Sequence, residues 1–430
     1  MRTTHFLLLL AALAISCRQA QPVTETQHLL SEAPPESEGM SGERLDRIGR
    51  MLEESIAEGQ IPGAVALVAR NGKIVYHKAF GLADAEQGTA FETDHIFRIA
   101  SQTKAITSTA VMMLWEEGHF RLDDPISDFI PEFAQTGVLE RFNEADSSFT
   151  VTPLENPITI RHLLSHTSGI GYGMIDGNPS IRKAFAKAGI IDAFTAEAVT
   201  LEENIPRLAQ MPLHHPPGEG WTYSEGLDVL GRLVEIVSGM PFDAFLKTRI
   251  FDPLGMEDTW FYLPEEKADR LVPVQYQADG QWKRFETEGF EIDYPITGAR
   301  TYFAGGAGLS STARDYAVFL QMMLNQGEYN GTRLLSRTTV QTLLANQIGE
   351  FWAGGPKDFG LAFAVVNANG VAYGGEGGEG TFDWGGYFNT EYFADPGEQL
   401  IGILMKQTQG ASQDETDWKF RQMVFASIAD

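Results

Sequence analysis

The chain of 430 residues has one cysteine, Cys17. A lone thiol excludes an intrachain disulfide and any cysteine-rich zinc or iron–sulfur centre. Basic residues are scarce as well: 32 Lys and Arg stand against 58 Asp and Glu, a formal net charge of −26. Nucleic-acid binders need basic surface to neutralise phosphates, so that class is excluded, as is electrostatic docking on anionic lipid. No stretch approaches the roughly 18 uncharged apolar residues of a membrane span. Two catalytic signatures are missing. There is no Gly-x-Ser-x-Gly, the nucleophile turn of α/β-hydrolases. His162 and His166 are four apart and His214-His215 adjacent, but no Glu follows His162, so the metalloprotease helix motif is absent and no metal site is expected.

At the N-terminus, Arg2 precedes the apolar run Phe6–Ile15. This is too short to cross ~30 Å of hydrocarbon and fits the apolar core of a secretory signal. It ends in Ala14-Ile15-Ser16-Cys17, which resembles a bacterial lipobox, with Ala14 where Leu is usual. Residues 1–16 are therefore read as a lipoprotein signal peptide and Cys17 as the lipidated first residue of the mature chain. Residues 17–38 are polar and proline-bearing and read as a tether, although the last of them could pack on the body. The expected location is the periplasmic side of a bacterial membrane, reached only through the anchor at Cys17.

Residues 39–430 read as one body. Ser41 caps a helix over Gly42–Ala57, with Leu45, Ile48, Met51, Leu52 and Ile56 at helical spacing. Two β-rich runs within Ile61–Gly81 flank Asn71-Gly72, a strong hairpin signal. His95–Ile99 reads as a strand, Ala105–Glu117 as a helix ended by Gly118, and Leu227–Val237 as a helix stopped by Ser238-Gly239. Near the end, Leu361–Val366 and Val371–Gly374 read as strands around Asn367–Gly370. Thr390–Phe393 and Leu400–Lys406 read as strands around Asp395-Pro396-Gly397, and Asp414–Ile428 as a last helix. Strands at both ends with helices between them predict an α+β fold. Its central antiparallel sheet is built from both chain ends, and a mainly helical subdomain is inserted at roughly 105–300.

Three segments carry chemistry. In Ser101-Gln102-Thr103-Lys104, residues three apart share a helix face, so Lys104 can serve the poorly nucleophilic Ser101 hydroxyl as a base. In Tyr223-Ser224-Glu225, a phenol near a lysine cation could act as a general base. In Asp383-Trp384-Gly385-Gly386-Tyr387, paired glycines mark a strand that another backbone or a ligand approaches closely. Each segment alone also has a bland reading: a capping serine, a core tyrosine, a bulge.

Together the three resemble the serine β-lactamase and penicillin-binding-protein superfamily, and within it the class C branch and the related family VIII carboxylesterases. Ser101–Lys104 matches Ser-x-x-Lys, Tyr223 the Tyr of Tyr-x-Asn, and Trp384-Gly385-Gly386 the position of Lys-Thr-Gly. Ile160–Gly169, Gly308–Asp315 and Asp228–Gly231 extend the likeness over about residues 39–428. The resemblance implies an acyl-enzyme on Ser101, proton transfer shared by Lys104 and Tyr223, an oxyanion hole from the backbone N–H groups of Ser101 and Tyr387, and no cofactor.

Two departures bear on substrate. Glu225 stands where β-lactamases carry Asn, either pairing with Lys104 or facing solvent. Trp384 replaces the lysine that holds the β-lactam carboxylate, removing a charge-assisted contact of about 1.5–3 kcal/mol. Glu225, Trp384, Gly385 and Gly386 are thus the expected substrate-binding positions. The expected activity is that of an esterase on small carboxylic esters, with D-alanyl peptidase or D-aminopeptidase, weak β-lactamase and a non-catalytic binding protein as alternatives. The partner expected is a small ester or peptide; oligomeric state is unread.

Overall fold

The computed structural model describes residues 30–430. Cys17, the signal segment and the start of the tether lie outside the described residues. From Leu30 onward the chain is part of the body. Leu30 is buried, and Ser31–Glu32 pairs in parallel with Lys73-Ile74. The last residues of the expected tether are therefore docked on the body.

The main sheet has nine strands. From one edge the order is Ser31–Glu32, Lys73–Asp84, Gly63–Arg70, Leu400–Met405, Thr390–Asp395, Phe382–Gly386, Ala364–Val366 and Lys357–Phe359. Thr89–Ala90 pairs off this path with Lys73–Asp84. All pairings but the first are antiparallel. Chain ends distant in sequence meet where Arg70 faces Leu400 and Val65 faces Met405. The hairpin turn uses Asn71 at φ 52° and Gly72 at φ 76°, the left-handed pair that a two-residue turn of matching twist requires.

Alternation along the strands divides the core. Val68, Phe393 and Leu404 pack against helices Gly42–Ala57 and Thr416–Ala426, joining Ile48, Leu52 and Phe420. On the other face, Leu67 and Ile403 join Ile106, Met112 and Leu230, from the helices Thr103–Glu116 and Gly226–Ser238. The first helix spans the predicted residues, and Ser41 accepts from Arg44 N as its cap.

Several elements depart from expectation. Val371–Gly374 lies in and at the end of a helix, Ala368–Tyr373, not in a strand. Asn367 caps it by accepting from Asn369 N and Gly370 N. Val371 and Tyr373 are exposed, so their β-prone side chains pack in no sheet. The strand expected at His95–Ile99 shortens to Phe97–Arg98, and the one expected at Leu361–Val366 to Ala364–Val366. Two unexpected hairpins interrupt the helical region. They are Gly137–Asn143 with Ser148–Pro153, and Gln275–Ala278 with Gln281–Arg284. The second turns on Asp279-Gly280, the same kind of signal as Asn71-Gly72 but set between polar runs. No described helix is long and apolar enough to cross a membrane.

Candidate active site

Ser101 sits in a single 3₁₀ turn, Ala100–Gln102, between the strand Phe97–Arg98 and the helix Thr103–Glu116. The preceding Ala100 is in the left-handed region at φ 42°, a costly conformation for a residue with a Cβ. The helix behind it is buried from Thr103 to Leu114, so the turn rests on a rigid base.

The strand Phe382–Gly386 runs against this turn. A Cβ on Gly386 would lie 2.5 Å from Ile99 O and 2.2 Å from Thr390 Oγ1. Glycine is what lets the two backbones meet there. The strand pairs along its length with Thr390–Asp395, but with Ala364–Val366 only through Phe382 and Asp383. Trp384, Gly385 and Gly386 therefore present an open edge. Ser101, Tyr223, Trp384, Gly385, Gly386 and Tyr387 all line one cavity of about 520 Å³.

Lys104 is buried behind that cavity. Its Nζ donates to Gly306 O at 2.7 Å and to Tyr172 OH at 2.8 Å, and lies 4.5 Å from the centre of the Tyr223 ring. The other end of the Gly306 peptide is anchored too, since Gly306 N donates to Asp228 Oδ1 at 2.6 Å. Asp228 also accepts from Tyr302 OH at 2.9 Å, and burial pushes its carboxyl up to about 6. Tyr223 is clasped by rings. Tyr172 stacks on it at 5.3 Å, His166 packs at 4.7 Å, and Trp384 Nε1 donates to its hydroxyl at 3.4 Å.

The two spaced histidines are supports. His162 Nδ1 accepts from Thr159 N, capping the helix Ile160–Leu164. His166 Nδ1 lies 2.9 Å from Ser224 Oγ, and burial followed by the Lys104 charge holds its imidazole well below the usual value.

Glu225 takes neither of the positions open to it from the sequence. It is 1% exposed and accepts from Gly173 N at 3.2 Å, behind the cavity wall. Burial, with the nearby Asp192 and Asp228, holds its carboxyl well above the carboxylate range. Sequence reading passed over Tyr172, Asp192, Phe194 and Gly306. Only Gly306 had a usable signal: Gly305-Gly306 is one of five adjacent glycine pairs in the chain, and a Cβ on Gly305 would meet Leu227 O at 2.4 Å.

A serine and a tyrosine thus line the cavity while a buried lysine packs against the tyrosine ring, a set of groups that can carry acyl transfer. A family model described as Beta-lactamase matches residues 48–424. The chain belongs to the beta-lactamase family. It is 35% identical over 378 residues to Esterase EstB of Burkholderia gladioli, covering 84% of this chain and 90% of that one. It is 32% identical over 381 residues to the Lovastatin esterase of Penicillium rubens, covering 82% and 90%. The solved structure of EstCE1, a hydrolase with promiscuous acyltransferase activity, superposes with a TM-score of 0.75 at 27% identity, covering 89% and 98%. The β-lactamase/transpeptidase-like α+β fold expected from the sequence is the observed one, and the enzyme is a serine hydrolase of the carboxylesterase-like kind.

Proposed function

We propose that this enzyme hydrolyses neutral esters of small carboxylic acids through an acyl-enzyme on Ser101. The observation that carries the reading is the composition of the cavity wall. Phe194, Tyr223, Trp384 and Tyr387 supply aromatic surface, Asp192, Asp383, Glu391 and Asp417 supply carboxyl groups, and no Lys, Arg or His lines it. Such a wall accepts an apolar acyl or alcohol group and offers no basic side chain to hold a free carboxylate.

Ser101 Oγ attacks the ester carbonyl carbon, and its proton passes to the Lys104–Tyr223 pair. The carbonyl oxygen becomes an oxyanion held by the backbone N–H groups of Ser101 and Tyr387. The C–O bond to the alcohol breaks, and the alcohol leaves with that proton. Water then attacks the acyl carbon and gives a proton to the pair, the bond to Ser101 Oγ breaks, and that proton passes to Oγ as the acid leaves. Trp384 and the two glycines after it form the wall and open edge beside the acyl group.

Short-chain p-nitrophenyl esters, nitrocefin and a D-Ala-D-Ala peptide, assayed against wild type and Ser101→Ala, test this. Esters are expected to be the best substrates, with at least about 10³-fold loss in the variant. Ester hydrolysis undiminished in Ser101→Ala would overturn the mechanism, and nitrocefin as the best substrate would overturn the Trp384 argument. The open edge Trp384–Gly386 could also pair with an extended peptide, which supports D-peptide hydrolysis as the second reading; a dominant peptide rate would favour it. We further propose lipid anchoring at Cys17 on the periplasmic side of a bacterial membrane. Cys17→Ser is expected to move the protein from the membrane fraction to the soluble one.

A further inference from the structure

One lip of the catalytic cavity is the stretch Tyr172–Ile175, and three carboxyl groups hold it: Asp176 Oδ2 accepts from Tyr172 N at 2.9 Å, and Glu225 and Asp192 take the next two amides. Gly173 N donates to Glu225 Oε1 at 3.2 Å, and Met174 N donates to Asp192 Oδ2 at 2.7 Å. The lip lies so close to Asp192 that a Cβ on Gly173 would sit 2.6 Å from Oδ2. Beyond the clasp, Met174 and Ile175 line the cavity with Ser101, while 43% and 46% exposed. Glu225 Oε2 is buried and meets no donor, and its side chain abuts the carboxyl of Asp192.

Two carboxylates cannot touch in a buried site while both are ionised; one proton between them turns repulsion into a hydrogen bond. The other charged or titratable groups facing the pair are Lys104 from the serine helix, Asp228 from the helix Gly226–Ser238 that starts after Glu225, and the phenols of Tyr172 and Tyr302. Lys104 does not supply the missing proton by contact, since its donors go to Gly306 O and Tyr172 OH.

We propose that Glu225 and Asp192 share one proton, and that this shared proton is a latch holding the Gly173–Ile175 lip in place for substrate. The proposal rests on the reading of the cavity as the ester site. Glu225 and Asp192 are positioning residues: they act through the lip, not on the reacting atoms. Burial raises both carboxyls, so the shared proton persists well above the range of ordinary carboxylates and is lost toward alkaline pH. Losing it sets the buried Glu225 charge against that of Asp192 at the cavity wall and frees the lip.

The test uses the full chain, with kcat and KM for a neutral p-nitrophenyl ester and amide-exchange protection of Gly173 and Met174, each from pH 5 to 9.5. For wild type, KM is expected to rise about fivefold to tenfold toward alkaline pH, the loss that goes with one charge-assisted bond, with a smaller change in kcat. Protection of the two amides should fall over the same range. Glu225→Gln, whose amide donates to the Asp192 carboxylate without a titrating proton, should abolish both trends. Glu225→Ala should show the high KM and weak protection at every pH. Asp176, next to Ile175, pairs with His214 at 2.8 Å and also holds Tyr172 N; the variants leave that pair in place, so a pH trend that arose there would persist in Glu225→Gln. A Glu225→Gln profile that still follows wild type, or wild-type protection that ignores pH, overturns the latch. Protection that behaves as expected in a chain without esterase activity upholds the latch and overturns the ester reading.

Discussion

Gly386 shows how much one missing methyl group decides. Its Cα passes between Ile99 O and Thr390 Oγ1, and any Cβ would come within 2.5 Å of the first and 2.2 Å of the second. Both distances are far inside van der Waals contact, and the Ile99 carbonyl is backbone, so it cannot turn aside. Gly386→Ala is therefore expected to push the strand Phe382–Gly386 away from the serine turn. The expected cost is about 1–3 kcal/mol of stability, typical of overpacking. It should also lower kcat/KM by more than tenfold, since misplacement of about 1 Å costs that much or more. Thermal unfolding and ester kinetics on the same preparation check both. Gly385, one ladder position back along the strand, meets only Thr390 O at 3.3 Å and should tolerate Ala far better. The contrast between the two glycines was invisible in the dipeptide itself. The sequence marked a place of close approach; the facing backbone says which of the pair makes it.

At the scale of the element, the strand Leu400–Met405 and the helix Thr416–Ala426 are joined by a buried charge. Lys406, just past the strand, is fully buried, with Asp414 at about contact distance and Asp417 at 2.6 Å. Burial alone would lower the lysine value, but the two carboxylates outweigh it and hold it above normal. The folded state thus keeps a proton that the unfolded chain would release. This stabilisation is fully present below the ordinary lysine value and is lost only as pH rises beyond the raised one. Lys406→Met would leave Asp414 buried and unpaired, an expected loss of about 3–5 kcal/mol. Urea unfolding at neutral pH measures it. The sequence reading placed Lys406 at the end of its strand. It did not see the ion cluster, because Asp414 and Asp417 flank the start of the following helix, across a loop from the strand, and no periodicity links the two elements.

The molecule as a whole is acidic, and the charge reaches the site. Among the described residues the cavity wall holds no basic side chain to receive an anion. Burial raises its Asp192 and Glu391, and cations behind it neutralise the other two carboxyls, so repulsion of an anionic substrate comes from the net charge of −26 on the whole molecule. Lys357 and Arg421 each lie 2.8 Å from Asp383, and Lys406 holds Asp417. An ester that carries a free carboxylate is therefore expected to show a kcat/KM at least about tenfold below that of its isosteric neutral counterpart. Added salt should narrow the gap, because screening acts on the long-range part of the repulsion. A gap that ignores ionic strength would place the discrimination in shape. Net charge alone excluded partners such as nucleic acid. Only the fold shows that acidic residues from separate stretches of chain line the same cavity as Ser101.

Local chemistry settled much of this protein in advance. Helical spacing and a serine cap produced Gly42–Ala57, the Asn71-Gly72 turn produced its hairpin, and the Ser101–Lys104 spacing marked the serine turn. These depend on neighbours within a few residues, which is the range over which a sequence states its own structure. Three spaced segments also sufficed to expect the family that the chain belongs to. Tertiary structure decided the rest. It turned Val371–Gly374 into helix because no strand lay beside it. It buried Glu225 against Asp192, a residue 33 positions earlier with no motif of its own. It brought Gly306 under Lys104 and Tyr172 over Tyr223. Those contacts arise where the chain folds back on itself, and burial, not spacing, sets their protonation, so no local pattern announces them.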